Sequence, residues 1–256
     1  MLAQVRRNII LEALQEEKTV VVSELSKQFS VSEETIRRDL DKLEKQGFAI
    51  KSYGGATLNE NVSIDLPSNI RKKHNILAKQ RMAGIVANLI NNGDKIAMDA
   101  SSTALFIAKG IKTKENMTLV TYSLEIALEL SDMPGWKVLS TGGVVRAGSL
   151  ALYGPKAVRT LSSYQVDKAI FSCKGIERKN GLSDGNDEDA QMKVIMMNNA
   201  KQCILVVDAS KFDKISFVTD VKFSEVDIVV TDRCPSDEWL AFFEKNNIQC
   251  LYPDSH

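Results

Sequence analysis

Apolar positions in the first 58 residues recur in short helical bursts set close together. Ile10, Ala13 and Leu14 share one face of the stretch Arg6 to Glu16, which predicts an amphipathic helix. Thr19–Val22 is β-branched and predicts a short strand. Ser23 is placed to cap a second helix, Glu24 to Phe29, that buries Leu25 and Phe29. After a tight turn at Ser30-Val31, Ser32 caps a third helix. Glu33 and Glu34 occupy its first turn, where the helix dipole favours anions. Ile36, Leu40 and Leu43 form its buried stripe, and Gly47 ends it after Gln46. Phe48–Ser52 and Ala56–Leu58 then read as strands about a turn at Gly54-Gly55. Two short helices joined by a tight turn and followed by a two-stranded hairpin have the order of a winged helix-turn-helix.

The pattern then changes. Asn59 to Asn69 is polar, contains Pro67 and reads as part of a linker spanning 59–75. A helix is expected from Ile70 to Leu89, and from Gly93 strands and helices alternate. The expected strands are Lys95–Asp99, Met117–Thr121, Trp136–Thr141, Val166–Cys173, Gln202–Asp208 and Val226–Thr231. Helices are expected near 102–110, 123–132, 154–162, 188–200 and 236–246. Apolar runs such as Cys203–Val207 predict a sheet buried on both faces. The expected fold is α+β and multidomain: a winged helix in 1–58 and an α/β domain in 76–256.

Charge changes the picture little. The 256 residues carry 33 Lys+Arg and 33 Asp+Glu, so distribution must decide whether a polyanion is a partner. Residues 35–58 hold five basic and three acidic side chains, and residues 66–93 hold five basic and no acidic ones. No stretch approaches the roughly 18 uninterrupted apolar residues of a membrane span. Asn8 and Glu12 interrupt the N-terminal apolar residues, so no secretory signal is expected. Cys173, Cys203, Cys234 and Cys250 form no Cys-x-x-Cys pair, which predicts free thiols in a reducing cytoplasm. With only His74 and His256, a His-rich metal site is excluded and a Ser-His-Asp triad is poorly served. No Gly-x-Gly-x-x-Gly follows the first strand of the second domain, so no dinucleotide, metal or other cofactor is expected.

Two sets of residues carry candidate chemistry. Thr35, Arg37 and Arg38 fall on the exposed side of the third helix. Arg can bond guanine O6 and N7 bidentately, and Thr can reach a base edge or a phosphate. Ser32 and Lys42 lie on the same helix, and Lys51 and Tyr53 on the hairpin suit the phosphate backbone. The competing reading is a solvated helix face. In the second domain, apolar runs end in Asp99-Ala-Ser-Ser-Thr103, Thr121, Thr141-Gly142-Gly143, Lys174-Gly175 and Asp208-Ala-Ser-Lys211. Ligands of open α/β sheets bind outside the carboxyl ends of the strands. Ser101, Ser102 and Thr103 precede a helix start that favours a phosphate, and Lys174 or Lys211 would supply a point charge. Gly142 and Gly143 would let backbone approach a ligand. Each has a plainer reading: a helix cap, a turn, a solvated lysine. Asp184, Asp187, Glu188 and Asp189 read equally as an exposed acidic loop.

Val31-Ser-Glu-Glu-Thr-Ile-Arg-Arg-Asp-Leu-Asp-Lys-Leu-Glu44 with Lys51-Ser-Tyr-Gly-Gly-Ala56 resembles the signature of the DeoR/GlpR family of bacterial transcriptional regulators. The resemblance extends over nearly the whole chain. It implies a winged helix fused to a sugar-phosphate-sensing α/β domain similar to ribose-phosphate isomerases. It implies a homo-oligomer on a double-stranded DNA operator, with a phosphorylated sugar as effector. Tyr53 stands where the family often has His. Asp99-Ala-Ser-Ser-Thr103 matches the family's phosphate loop, and Asp208-Ala-Ser-Lys-Phe212 a later block, so Ser101, Ser102, Thr103 and Lys211 are implied to hold the phosphate. Tyr122 replaces a common Asn, and Asp189 a common Glu, while Lys193 is retained. Ser172-Cys-Lys-Gly175 with Gly181-Leu-Ser-Asp184 resembles the deoxyhexose subgroup, implying a deoxyketose 1-phosphate. The alternative is an isomerase-like enzyme. The isomerases' Asp-Gly-Ala-Asp segment is not present, and a winged helix has no role in such catalysis.

Overall fold

The computed structural model describes residues 1–59, 66–146 and 148–253. The chain divides into two compact units, Met1–His74 and Asn75–His256.

The first unit contains α1 (Ala3–Glu17), β1 (Thr19–Val21), α2 (Val22–Phe29), α3 (Glu33–Lys45), β2 (Ala49–Ser52), β3 (Gly55–Leu58) and α4 (Ser68–Lys73). Ile10, Leu11 and Leu14 of α1 pack with Leu25 of α2 and with Ile36, Leu40 and Leu43 of α3. Each is 4% exposed or less. Burial of such a side chain contributes about 1.5–3 kcal/mol. Ser30 adopts a left-handed conformation between α2 and α3, and the Ser26 hydroxyl donates to Val31 O at 2.6 Å across that turn.

Three expectations are corrected here. α2 starts at Val22, with Val21 in the cap position and no side chain capping it, so Ser23 lies inside the helix. The expected hairpin is a three-stranded sheet ordered β1-β3-β2, because Thr19–Val21 pairs with Gly55–Thr57. Gly55 is required there, since a Cβ would lie 2.1 Å from Val20 O. Finally, the helix expected from Ile70 begins at Ser68, inside the expected linker 59–75, and the Ile70 side chain is buried in the first unit's core. Residues 60–65 of the expected linker lie outside the described residues.

The second unit opens with α5 (Ile76–Leu89), β4 (Lys95–Met98), α6 (Ser102–Gly110), β5 (Thr118–Thr121), α7 (Leu124–Leu130), β6 (Lys137–Ser140), β7 (Val144–Val145) and β8 (Leu152–Tyr153). It continues with α8 (Pro155–Ser162), β9 (Val166–Phe171), β10 (Gly175–Glu177), β11 (Gly181–Asp184), α9 (Asp187–Asn198) and β12 (Ala200–Val206). A short turn at Ala209–Lys211, β13 (Val218–Val221), β14 (Ile228–Val230), α10 (Asp237–Lys245) and β15 (Gln249–Leu251) complete it. The single helix expected from Ile70 to Leu89 is broken at His74-Asn75, where Asn75 takes φ +52°.

Seven parallel strands form one sheet in the order β15-β14-β12-β9-β4-β5-β6. Side chains alternate between its faces. Ile96, Met98, Ile170, Ile204 and Val206 pack with α5 and α6, whereas Ala97, Ala169, Phe171 and Leu205 pack with α9 and α10. All six expected strands lie in this sheet. β15 and the small antiparallel sheets β10-β11-β13 and β7-β8 are additions, each built from strands of two to four residues. From β4 the chain winds towards β6, and from β9 towards β15. The winding reverses between β4 and β9, and the strand ends there form the crevice where such sheets take ligands.

Candidate functional site

The reading face of α3 is built from its first turn. The Ser32 hydroxyl caps the helix by accepting from Thr35 N at 3.3 Å, and lies 2.9 Å from the Thr35 hydroxyl. Arg37 and Arg38 are exposed, as the periodicity required. Each is paired one turn back along the helix: Arg37 with Glu33 at 2.7 Å and Arg38 with Glu34 at 3.1 Å. Lys51 on β2 pairs with Asp41, and the bond holds the Asp41 carboxyl below its ordinary pKa and the Lys51 ammonium above its own. The Lys51 amide donates to Glu44 at 2.9 Å, which fixes the hairpin against α3. Tyr53 stands fully exposed at the tip, before Gly54, and Lys42 is exposed on α3. The described cations of this face thus carry their own carboxylate partners at Arg37, Arg38 and Lys51.

Asp39, one residue beyond Arg38, points the other way. It is 3% exposed, and accepts from Arg6 Nε at 2.5 Å and Arg7 Nη1 at 3.2 Å. This buried pairing clamps α3 to α1. The sequence reading missed it, although an acidic residue beside Leu40 on the apolar stripe was the available signal.

At the β4–β9 crevice, Ser101 caps α6, its hydroxyl accepting from Ala104 N at 3.0 Å. Ser102 and Thr103 form the first turn and are buried. Asp99 does not reach outward. Its Oδ1 accepts from the Ser101 amide at 3.1 Å and hydroxyl at 2.6 Å, and its Oδ2 accepts from the Ser172 amide at 3.0 Å. It ties the loop after β4 to the end of β9. Burial pushes its pKa up, against the opposing pull of Lys193 and these hydrogen bonds. Thr121 is likewise occupied, donating to Met98 O at 2.8 Å and accepting from Ser123 N at 3.1 Å.

The glycines make close approaches within the protein itself. A Cβ on Gly143 would sit 2.4 Å from Tyr153 O, and one on Gly175 would sit 2.4 Å from Lys214 O. Gly142 has φ +64° and lies beside the Lys156 side chain. Lys174 bonds through its amide to Ser183 O at 2.9 Å. Lys211 ends the short turn after β12, and its charge reaches the Cys173 thiol at the end of β9. Asp99 and Ser101–Thr103 therefore follow β4 and Lys211 follows β12, two strands separated by β9, while Thr121, Gly143 and Gly175 serve the scaffold.

Several polar residues here were not among the expected site residues. Asp184, expected as part of an exposed acidic loop, is 3% exposed because β11 carries it inside. Its Oδ1 accepts from Lys193 at 2.5 Å, and its Oδ2 is buried with no hydrogen-bond partner among the described residues. Burial pushes the Asp184 carboxyl up in pKa. For Lys193, burial opposes the charge, but Asp184, Asp189 and Asp99 outweigh it and hold the ammonium above the ordinary lysine value. Tyr122 is 1% exposed, its ring centroid 5.9 Å from that of Tyr153. The Tyr153 hydroxyl donates to Asp189 at 2.5 Å. Burial raises the Tyr122 phenol well above its ordinary pKa, with the charge of Asp99 adding to the effect. The Asp189/Lys193 spacing, one helical turn, was the available signal. Among the described residues no group of three or more His, Cys, Asp or Glu side chains is arranged to hold a metal ion.

A winged helix in one compact unit and a parallel α/β sheet whose winding reverses between β4 and β9 in the other have the organisation of a DNA-binding regulator with a sensor domain. The chain belongs to the DeoR family: residues 6–62 match the DeoR-like helix-turn-helix domain and residues 74–233 the DeoR C terminal sensor domain. It is 38% identical to the HTH-type transcriptional regulator YulB of Bacillus subtilis, over 91% of this chain and 90% of that one. It is 32% identical to the HTH-type transcriptional repressor GlcR of the same organism, over 94% and 93%. Among solved structures, ribose 5-phosphate isomerase A of Methanocaldococcus jannaschii aligns with a TM-score of 0.38 at 18% identity, over 52% of this chain and 53% of that one. No helix among the described residues is long and apolar enough to cross a membrane.

Proposed function

We propose that this chain is a cytoplasmic, homo-oligomeric repressor of a sugar-utilisation operon, released from its operator by a phosphorylated sugar. Paired α3 helices enter successive major grooves, with Thr35, Arg37 and Arg38 at base edges and Lys51 and Tyr53 on phosphates. The effector's phosphate binds at the start of α6 against Ser102 and Thr103, where the helix dipole is positive, and Lys211 supplies a full charge. Sugar hydroxyls donate to the buried carboxylate of Asp184. A deoxyketose 1-phosphate fits the resemblance of Ser172–Gly175 and Gly181–Asp184 to the deoxyhexose subgroup.

The observation that carries this reading is Asp184 Oδ2, a buried acceptor with no hydrogen-bond partner among the described residues, in the same charge cluster as Asp99 at the loop after β4. A buried acceptor left without a donor costs about 1–3 kcal/mol, so a hydroxyl-bearing ligand has a place to contribute. We read the sensor as binding rather than turning over its sugar, because Asp99 is committed to the loop and its relatives YulB and GlcR are regulators. Replacing Asp184 by Asn should weaken a sugar phosphate more than it weakens inorganic phosphate, as read by calorimetry. Equal loss for both would remove Asp184 from the sugar end.

A further inference from the structure

Nothing in the sequence between Ser68 and Leu89 dictates a helix break. The segment has no proline, its one glycine is Gly84, and Asn75 is followed by Ile-Leu-Ala-Lys-Gln, which are sound helix formers. The structure nevertheless breaks the helix at Asn75, a non-glycine residue in the left-handed region. Such a conformation persists where surrounding groups hold it. One holding group is Asp208: Asn75 Nδ2 donates to Asp208 Oδ1 at 3.2 Å, in a part-buried contact.

Asp208 itself builds the turn that presents Lys211. Its Oδ1 accepts from the Ser210 amide at 3.0 Å and from the Ser210 hydroxyl, and its carbonyl accepts from the Lys211 amide at 3.0 Å. Asp232, after β14, secures the same turn by accepting from the Ala209 amide at 2.7 Å. Asn75 is also the first residue of the second compact unit, directly bonded to His74, the last of the first.

We infer that Asn75 is a positioning residue of the anion site: by holding Asp208 it fixes the Lys211 turn, and the state of that turn is tied to the helix break at Asn75. The inference rests on the reading of Lys211 as an anion ligand. Two arrangements of one segment compete. In the broken form, the amides of Ile76, Leu77 and Ala78 lack an intrahelical acceptor. In a continuous helix they would bond to the carbonyls of Lys72, Lys73 and His74. An anion on Lys211 that orders the turn strengthens the Asn75–Asp208 bond and selects the broken form. Loss of the anion or of the bond shifts the population towards the continuous one.

The test is amide hydrogen exchange on the full chain, with and without inorganic phosphate. Asn75→Gly keeps the left-handed conformation easy but removes the side-chain donor. It should speed exchange at Ser210 and Lys211 by about tenfold, the equivalent of one net hydrogen bond. Asn75→Ala, which also disfavours the left-handed backbone, should in addition slow exchange at Ile76–Ala78. In the wild type, phosphate should slow exchange at Ser210 and Lys211 and speed it at Ile76–Ala78, and Asn75→Gly should abolish the second response. Unchanged rates at Ser210 and Lys211 in Asn75→Gly overturn the positioning role. A phosphate response confined to the turn overturns the tie to the helix break while leaving the anion site intact. A wild type and a Lys211→Ala variant equally blind to phosphate would sink the anion reading, and this inference with it, even if the Asn75–Asp208 bond proves real.

Discussion

The reading face of α3 and the crevice of the sensor domain both concentrate charge, but they hold it in opposite ways. Arg37 and Arg38 are exposed, and each rests against a glutamate of its own helix. Exposed pairs of this kind contribute about 0.2–1 kcal/mol, so they open readily when a better partner arrives. In the crevice, Asp99, Asp184 and Lys193 are buried, and each is fixed by short polar contacts. Removing one member of a buried pair leaves an uncompensated charge. The difference teaches how one chain combines two kinds of recognition. The helix face can exchange its partners at little cost, which suits the proposed DNA contacts, whereas the crevice is organised in advance by its buried pairs.

The sharpest way to break that contrast is to remove a charge from each class. Asp39→Ala, which strands Arg6 and Arg7, should cost the first domain about 3–5 kcal/mol in denaturant unfolding. Arg37→Ala with Arg38→Ala should change stability by no more than about 1 kcal/mol in total yet abolish duplex binding. A large stability loss in the double variant would make these arginines structural. In the sensor, Lys193→Met should cost several kcal/mol by leaving Asp184 unpaired. The Lys193 pKa is raised in the fold, so its contribution is complete below the ordinary lysine value and is lost only as pH rises through the higher folded one. In the variant Asp184 loses the ammonium that pulls its raised pKa down, so the gap between variant and wild type should not narrow, and should widen, as pH rises from about 6 to 9. A gap that closes within that range would contradict a charged Lys193.

Smaller effects sharpen the picture. Lys211→Ala should weaken sugar-phosphate binding by about tenfold or more, the worth of a charged hydrogen bond, and leave unliganded DNA binding alone. Unaltered effector affinity, measured by titration calorimetry, would take Lys211 out of the site. Glu33→Gln with Glu34→Gln should tighten binding to random duplex several-fold and steepen its salt dependence by up to about two in log–log slope, as two arginines are freed for phosphates. No change in either would mean the glutamates do not restrain them. Least of all, a maleimide at neutral pH should label exposed Cys234 and spare Cys173 and Cys203, whose thiols burial pushes up to about 12. Mass spectrometry of labelled peptides reads this directly.

Much of this was legible in the sequence, and the reasons differ by region. The stripe Ile36, Leu40, Leu43 and the cap at Ser32 located α3, because an amphipathic helix writes its period into the chain. The six central strands were legible because burial on both faces demands continuous apolar runs. β10, β11 and β13 were not, since strands of three or four residues are too short to carry a period. Asp184 was hidden for the same reason: it ends one of those short strands, and its polar neighbours resemble a solvated loop. The break at Asn75 was illegible because the partner its side chain bonds, Asp208, lies 133 residues away. Ser101–Thr103 could be found from the strand-end rule, but only the fold showed that Asp99 and Thr121 spend their polar atoms inside.

The most direct test of the account is a mobility-shift titration of the chain on its own upstream DNA, repeated with phosphorylated sugars that include deoxyketose 1-phosphates. The account predicts a shift that one phosphorylated sugar relieves, and that Lys211→Ala renders insensitive to that sugar. No shift, with turnover of a sugar phosphate in its place, would contradict it.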